Sequence, residues 1–309
     1  MKRTLEGKEL LRTEGLWKRY GRVMAVADLN LRICAGEVYS LLGPNGSGKS
    51  TTVGMILGLI RPTKGRVLAF GSDMALHPWP ALRRIGAVIE APAFYPYLSG
   101  YDNLKTLAIM LGDIPDTRID EMLELVGLLD RARDAYKSYS LGMKQRLGIA
   151  STLLRDPDLI ILDEPTNGLD PAGTAEVREL IRRLGNEGKA VFLCSHILHE
   201  VQAVSDRVGI VKRGRLVAEG AVAELLGRGQ FLRLRADDNG ALARALTGIP
   251  WLSHVELLDS FVRVVAPTER AAELNKVLAS LGIYLSELAP WESDLESVFL
   301  ELTGEATGP

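Results

Sequence analysis

Residues 43–51 read Gly43-Pro44-Asn45-Gly46-Ser47-Gly48-Lys49-Ser50-Thr51 and follow directly on an apolar run, Val38–Leu42. A G-x-x-x-x-G-K-S turn between a strand and a helix leaves few folds open to the chain. Glycines at 43, 46 and 48 let successive backbone N–H groups curl around a phosphate with no side chain in the way. The helix expected from about Lys49 adds the positive end of its dipole. Lys49 supplies a charge for the outer phosphates of a nucleotide, and the Ser50 hydroxyl is placed to ligate Mg²⁺.

A second apolar run, residues 159–162, ends in Asp163-Glu164-Pro165. Continuous apolar character suits a strand buried on both faces of a parallel sheet. Its carboxylates then fall at the carboxyl edge of that sheet, where the phosphate loop also lies. Asp163 is expected to hold Mg²⁺ through water, and Glu164 to orient and polarise an attacking water. Residues 191–194 form a similar run.

The 309 residues are enough for two domains. A glycine pair, Gly227 and Gly229, follows a helical stretch at 221–226 and precedes a new strand pattern, which sets the expected boundary at 228/229. Before it, strands alternate with helices in the manner of an α/β fold with a largely parallel sheet. Residues 92–155 interrupt that pattern with three helices, expected at 100–111, 116–128 and 141–155. After the boundary the order is strand, helix, strand, strand, helix, strand, the ferredoxin-like βαββαβ arrangement. Leu295, Val298, Phe299 and Leu302 then share one helical face. From Phe231 onward there are 6 Lys/Arg and 12 Asp/Glu, against 31 and 27 in the remainder, so a mildly basic part precedes an acidic one. The total net charge of −2 gives no global pull toward nucleic acid or anionic lipid. Cys34 and Cys194 each sit in an apolar stretch, as buried reduced thiols do.

The remaining motifs carry a resemblance. Between the phosphate loop and the acidic strand stands Tyr139-Ser140-Leu141-Gly142-Met143-Lys144-Gln145-Arg146; beyond that strand come Asn167-Gly168-Leu169-Asp170 and then Ser195-His196; upstream is Lys18-Arg19-Tyr20-Gly21. In that order they resemble the signature loop, D-loop, switch-histidine loop and aromatic loop of the ABC ATPase family, over roughly residues 9–226. The resemblance implies a P-loop ABC ATPase core with a helical subdomain. It implies ATP and Mg²⁺ as ligands, with Tyr20 stacked on adenine and His196 sensing the γ-phosphate. Ser140 and Gly142 would meet the γ-phosphate held by a second copy, and Asp170 belongs to the same shared site. Leu141 and Met143 depart from the usual Leu-Ser-Gly-Gly-Gln. Glu90 replaces the glutamine that in most members touches Mg²⁺ and signals to the permease. This variant looks like the ATPases of bacitracin-resistance and lantibiotic-immunity exporters.

The implied partners are a second copy and an integral membrane permease, with no nucleic acid. No apolar run approaches the roughly 20 residues that cross a bilayer, and the amino-terminal residues carry no apolar run of the signal-peptide kind. The expectation is a protein held at the cytoplasmic side of the membrane by its permease. A soluble ABC protein acting on nucleic acid or the ribosome is the competing reading; those usually join two ATPase units, or add long coiled coils or zinc cysteines. Another P-loop class, such as a GTPase, is opposed by the signature loop.

Overall fold

The computed structural model describes residues 7–90, 92–112, 114–227 and 231–291, together with Leu295 and Phe299. Chain contacts divide into two units, one up to Ala221 and one from Val222 onward. The division falls earlier than the 228/229 boundary marked by the glycine pair. The last rung of the final ladder in the first unit pairs Arg207 with Ala221, and the helix after it groups with the second unit.

In the first unit the chain runs β1 (Glu9–Tyr20), β2 (Val23–Leu29), β3 (Arg32–Cys34), β4 (Val38–Leu42), α1 (Lys49–Ile56), β5 (Lys64–Ala69), β6 (Ser72–Asp73), α2 (Pro78–Leu82) and β7 (Ile85–Val88). It continues through α3 (Gly100–Leu111), α4 (Asp116–Leu125), α5 (Leu141–Leu153), β8 (Leu159–Asp163), α6 (Pro171–Asn186), β9 (Ala190–Ser195), α7 (Leu198–Val204), β10 (Arg207–Lys212) and β11 (Arg215–Ala221). Six strands form one sheet in the order β11-β10-β4-β9-β8-β7, parallel throughout except for β11. The period of two along a strand divides its side chains between two cores. Val38, Ile160, Leu162, Val191 and Leu193 join the helices α3 to α6. Tyr39, Leu41, Leu159, Ile161, Phe192 and Cys194 face α1 and the amino-terminal strands. Burial on both faces explains why these strands read as unbroken apolar runs.

A second sheet was not foreseen. β2, β1, β5 and β6 pair antiparallel in that order, with β3 on β1. β1 changes register at Leu16/Lys18 and at Glu14/Trp17. Those irregularities break the alternation by which a half-buried strand is read from sequence. In the helical insert, α4 ends at Leu125, three residues short of the expected end, because the chain turns at Gly127 with φ of 64°.

The second unit comprises α8 (Val222–Gly227), β12 (Phe231–Ala236), α9 (Asn239–Thr247), β13 (Ser253–Leu257), β14 (Val262–Val265), α10 (Ala271–Ser280) and β15 (Leu285–Trp291). Its sheet is ordered β13-β14-β12-β15 and every pair is antiparallel, which is the ferredoxin-like topology. Leu232 and Leu234 pack with Val262, Val264, Leu242, Leu246, Leu274 and Leu278 into a separate core. Of the last apolar face, Leu295 is buried and Phe299 half-buried, both in helical conformation; Val298 and Leu302 lie outside the described residues.

Candidate active site at the carboxyl edge of the parallel sheet

Sheet order builds the site. β9 lies between β4 and β8, and the rungs Leu42–Ser195 and Asp163–Cys194 bring the carboxyl ends of the three strands level. The phosphate loop leaves β4, Glu164 follows β8 and His196 follows β9. Backbone bonds tie these exits together: Gly43 N donates to Ser195 O at 3.2 Å and Glu164 N to Cys194 O at 2.9 Å.

Within the loop, Gly48 has φ of 105° and a Cβ there would lie 2.4 Å from the Ala25 carbonyl oxygen. Only glycine fits that position. Gly48 also heads α1 with no side-chain cap, so the first-turn N–H groups remain free to receive an anion. Ser47 is buried and its Oγ has no hydrogen-bond partner among the described residues.

Lys49 is buried, with its Nζ turned inward. It donates to the Gly43 carbonyl at 2.7 Å and the Pro44 carbonyl at 3.3 Å, and lies 3.2 Å from Glu164 Oε1. The other oxygen of that carboxylate, Oε2, is 2.8 Å from His196 Nδ1. Lysine, glutamate and histidine thus stand in one connected row across three strand ends. Asp163 sits beside the row, almost fully buried, and its Oδ1 has no hydrogen-bond partner among the described residues. Burial raises its carboxyl above the ordinary aspartate value; the Ser50 hydroxyl opposes this, while the charges of Glu164 and Glu90 add to it. Glu90 is exposed two residues past the end of β7, close enough for Asp163 to feel its charge. Both Glu90 (φ 57°) and Glu164 (φ 51°) hold left-handed backbone, an arrangement that concentrates at functional sites.

The sign of the Asp163 shift makes a prediction. A carboxyl raised in the folded state costs stability at neutral pH, and the cost is relieved as pH falls through the raised value. Asp163→Asn should therefore raise the thermal midpoint of the ligand-free protein by a few degrees, about 2–4 °C for each ~1 kcal/mol in a domain of this size. The same variant should lose the further rise that MgATP gives the wild type. Thermal unfolding with and without MgATP checks both arms.

Ser140, Gly142 and Asp170 form another cluster. Ser140 caps α5, its Oγ accepting from Met143 N at 3.2 Å, and is exposed. Asp170 caps α6, accepting from Gly173 N at 2.9 Å. A Cβ on Gly142 would meet only Gly173 Cα at 3.5 Å and Ser140 Oγ at 4.0 Å, ordinary contacts. Nothing in its own chain requires glycine at 142. No side-chain hydrogen bond or ion pair among the described residues joins this cluster to Lys49, Glu164 or His196. Tyr20 ends β1 at a hairpin, 47% exposed, with Lys18 Nζ 4.8 Å from its ring centre. Sequence reasoning passed over Thr166 and Glu200, which are both buried and hydrogen-bonded to each other, Thr166 Oγ1 donating to Glu200 Oε2. No motif marks an acid in an ordinary helix as buried.

A G-x-x-x-x-G-K-S loop, a buried acid and a glutamate–histidine pair on one parallel sheet edge define a P-loop ATPase. Comparison narrows the class. The ABC transporter family model matches residues 26–167. Bacitracin transport ATP-binding protein BcrA of Enterococcus faecalis is 36% identical over 297 residues, 96% of each chain. The lantibiotic transport ATP-binding protein SrtF of Streptococcus pyogenes is 42% identical over 210 residues, 68% of this chain and 90% of its own. A solved dimeric ATP-binding cassette, in a post-hydrolysis state bound to ADP and Pi, matches with a TM-score of 0.61 and 27% identity, over 69% of this chain and 99% of that one. The chain belongs to the ATP-binding proteins of ABC transporters. It is an ATPase subunit, and no helix among its described residues is long and apolar enough to cross a membrane. The 297-residue match is long enough to take in the second unit, whereas the 210-residue match is shorter than the first unit alone.

Proposed function

We propose that two copies of this chain close around two MgATP at the cytoplasmic face of the membrane and drive a separate permease in export. The observation that carries this is the Lys49–Glu164–His196 row at the strand ends. Lys49 would bind the outer phosphates in place of the Gly43 and Pro44 carbonyls. Glu164, held by His196, would orient water and take its proton. Tyr20 is exposed enough to stack on adenine.

The residues fit a Mg²⁺ ion. Asp163 offers an orphaned buried carboxylate oxygen, and the Ser50 hydroxyl and the exposed Glu90 carboxylate stand near it. When bound, the metal would neutralise charge on the phosphates. Asp163 and Ser50 would hold it, and Glu90 would connect it to the permease. Tyr95 and Tyr97, 64% and 81% exposed just beyond Glu90, suit a permease contact.

Each site would be finished by the other copy. A glycine at 142 that its own chain does not require and the exposed Ser140 cap support close approach by a neighbour's nucleotide, with Asp170 at the same surface. A twofold axis makes two such sites. The names of BcrA and SrtF support a peptide antibiotic as cargo among the drugs, peptides and lipids that exporters carry. The second unit would serve as an accessory domain that strengthens or regulates pairing.

Subunit mixing tests the shared site. A Lys49→Ala chain and a Gly142→Asp chain should each fail to trap ATP alone. Mixed, they form one heterodimeric site with both faults and one with neither. The mixture should recover up to a quarter of wild-type trapping, the share of intact sites in a random mix. No recovery in mixtures shown to contain heterodimers would sink the composite site.

A further inference from the structure

Three bridges join the segment after β8 to the end of β9 and the segment that follows it. The first is the backbone bond from Glu164 N to Cys194 O at 2.9 Å. The second is the contact of Glu164 Oε2 with His196 Nδ1 at 2.8 Å. The third is the hydrogen bond from Thr166 Oγ1 to Glu200 Oε2. Thr166 is 5% exposed and Glu200 5% exposed, so this third bridge is sealed from water.

We propose that Glu200 is a positioning residue for ATP hydrolysis, clasping Thr166 so that the Glu164 and His196 side chains stay in contact. This rests on the reading that Glu164 and His196 carry the hydrolytic step.

The geometry supports the clasp from both directions. Thr166 lies two residues after Glu164, and Asn167 N closes a turn onto Glu164 O at 3.1 Å, so Thr166 sits inside a rigid turn that begins at the carboxylate. Glu200 lies four residues after His196 in the first turn of α7, where Val201 N bonds Ile197 O at 3.2 Å and Ile197 N bonds Ser195 Oγ at 3.0 Å. Each member of the clasp therefore lies in the same short hydrogen-bonded segment as the backbone of its own functional residue. Glu164 and Glu200 face different partners, and among the described residues no side-chain hydrogen bond or ion pair joins Glu200 to Lys49, Glu164 or His196. A buried carboxylate is a costly way to fill space, since an apolar side chain would serve the core as well. Its bond to a hydroxyl is directional, which suits the holding of two loops in register. Without the clasp, the two loops keep one backbone bond and the Glu164–His196 contact, whose glutamate end is also held by Lys49. Misplacement of about 1 Å at such a contact can cost on the order of a hundredfold in rate.

The test uses the full chain and its MgATP turnover. Glu200→Ala and Thr166→Val should each lower kcat about tenfold to a hundredfold, with KM for ATP within twofold of wild type. Glu200→Gln and Thr166→Ser, which keep an acceptor and a donor, should recover most of the rate. The decisive measurement is a double-mutant cycle with His196→Ala. If the clasp acts through the glutamate–histidine contact, Thr166→Val added to His196→Ala should cost less than twofold more. An equal cost in both backgrounds, a rise of KM in step with the loss of kcat, or no recovery by Glu200→Gln would each overturn the assignment. Should Glu200→Ala fold poorly by circular dichroism, Thr166→Val and Thr166→Ser carry the same test at nearly constant volume. The underlying reading fails separately: full turnover in Glu164→Gln and His196→Ala would remove it, whereas losses there without a loss in Thr166→Val would remove the clasp alone.

Discussion

Glu164→Gln is expected to bind MgATP as tightly as the wild type while turnover falls by about 10²–10⁴-fold. The amide has the carboxylate's shape but cannot take a proton from water. Lys49 loses one charged partner 3.2 Å away and keeps the carbonyls of Gly43 and Pro44. Its charge is thus more available to phosphate, which protects affinity in the variant. With hydrolysis stopped, the ATP-bound pair should accumulate. Light scattering on a sizing column should find a dimer in MgATP and a monomer in MgADP. Turnover within a few fold of wild type would show that another group activates the water.

Lys49→Ala should give the opposite division. Charge-assisted hydrogen bonds contribute about 1.5–3 kcal/mol each, so nucleotide affinity should fall roughly 10- to 100-fold. His196→Ala should leave affinity within about threefold, because His196 touches Glu164 and is not among the loop's phosphate-facing groups. Its turnover should fall by about two orders of magnitude, within the range for a general-base apparatus. Equilibrium binding of a fluorescent ATP analogue and steady-state rates on the same preparations separate the two. Equal affinity losses in both variants would mean that His196 belongs to the binding surface.

Parts of the fold that backbone requirements dictate are the parts that can be read from residues. A loop that needs glycine at 48, between a strand and a helix, can be placed without coordinates because few other residue patterns meet its steric demands. The strands 38–42 and 159–163 announce themselves because two-sided burial leaves apolar side chains at nearly every position, Ser40 and the terminal Asp163 excepted. β1 does not, since its bulges shift the inward face partway along. The βαββαβ order of the second unit is legible for the opposite reason: its strands alternate, as where buried Leu232 and Leu234 take turns with Arg233 and Arg235. Contacts between distant segments remain hidden. Glu164 and His196 are 32 residues apart, and their 2.8 Å approach follows from β9 lying next to β8 rather than from any local pattern. The burial of Glu200 has the same tertiary origin, since α7 shows a glutamate in its first turn like many exposed helices.

If the Ser140–Gly142 cap of one copy completes the Lys49–Glu164–His196 row of another, as proposed, a kinetic corollary follows. A catalyst completed by its twin has no fixed specific activity. When pairing is weak, the rate per chain climbs with chain concentration, and total rate grows as its square. Dilution alone would silence it. Tethering two copies to one permease would replace that bulk dependence with an effective local concentration, in the millimolar range for short connections. Free chains awaiting assembly would then consume little ATP, and expenditure would begin where the transporter is.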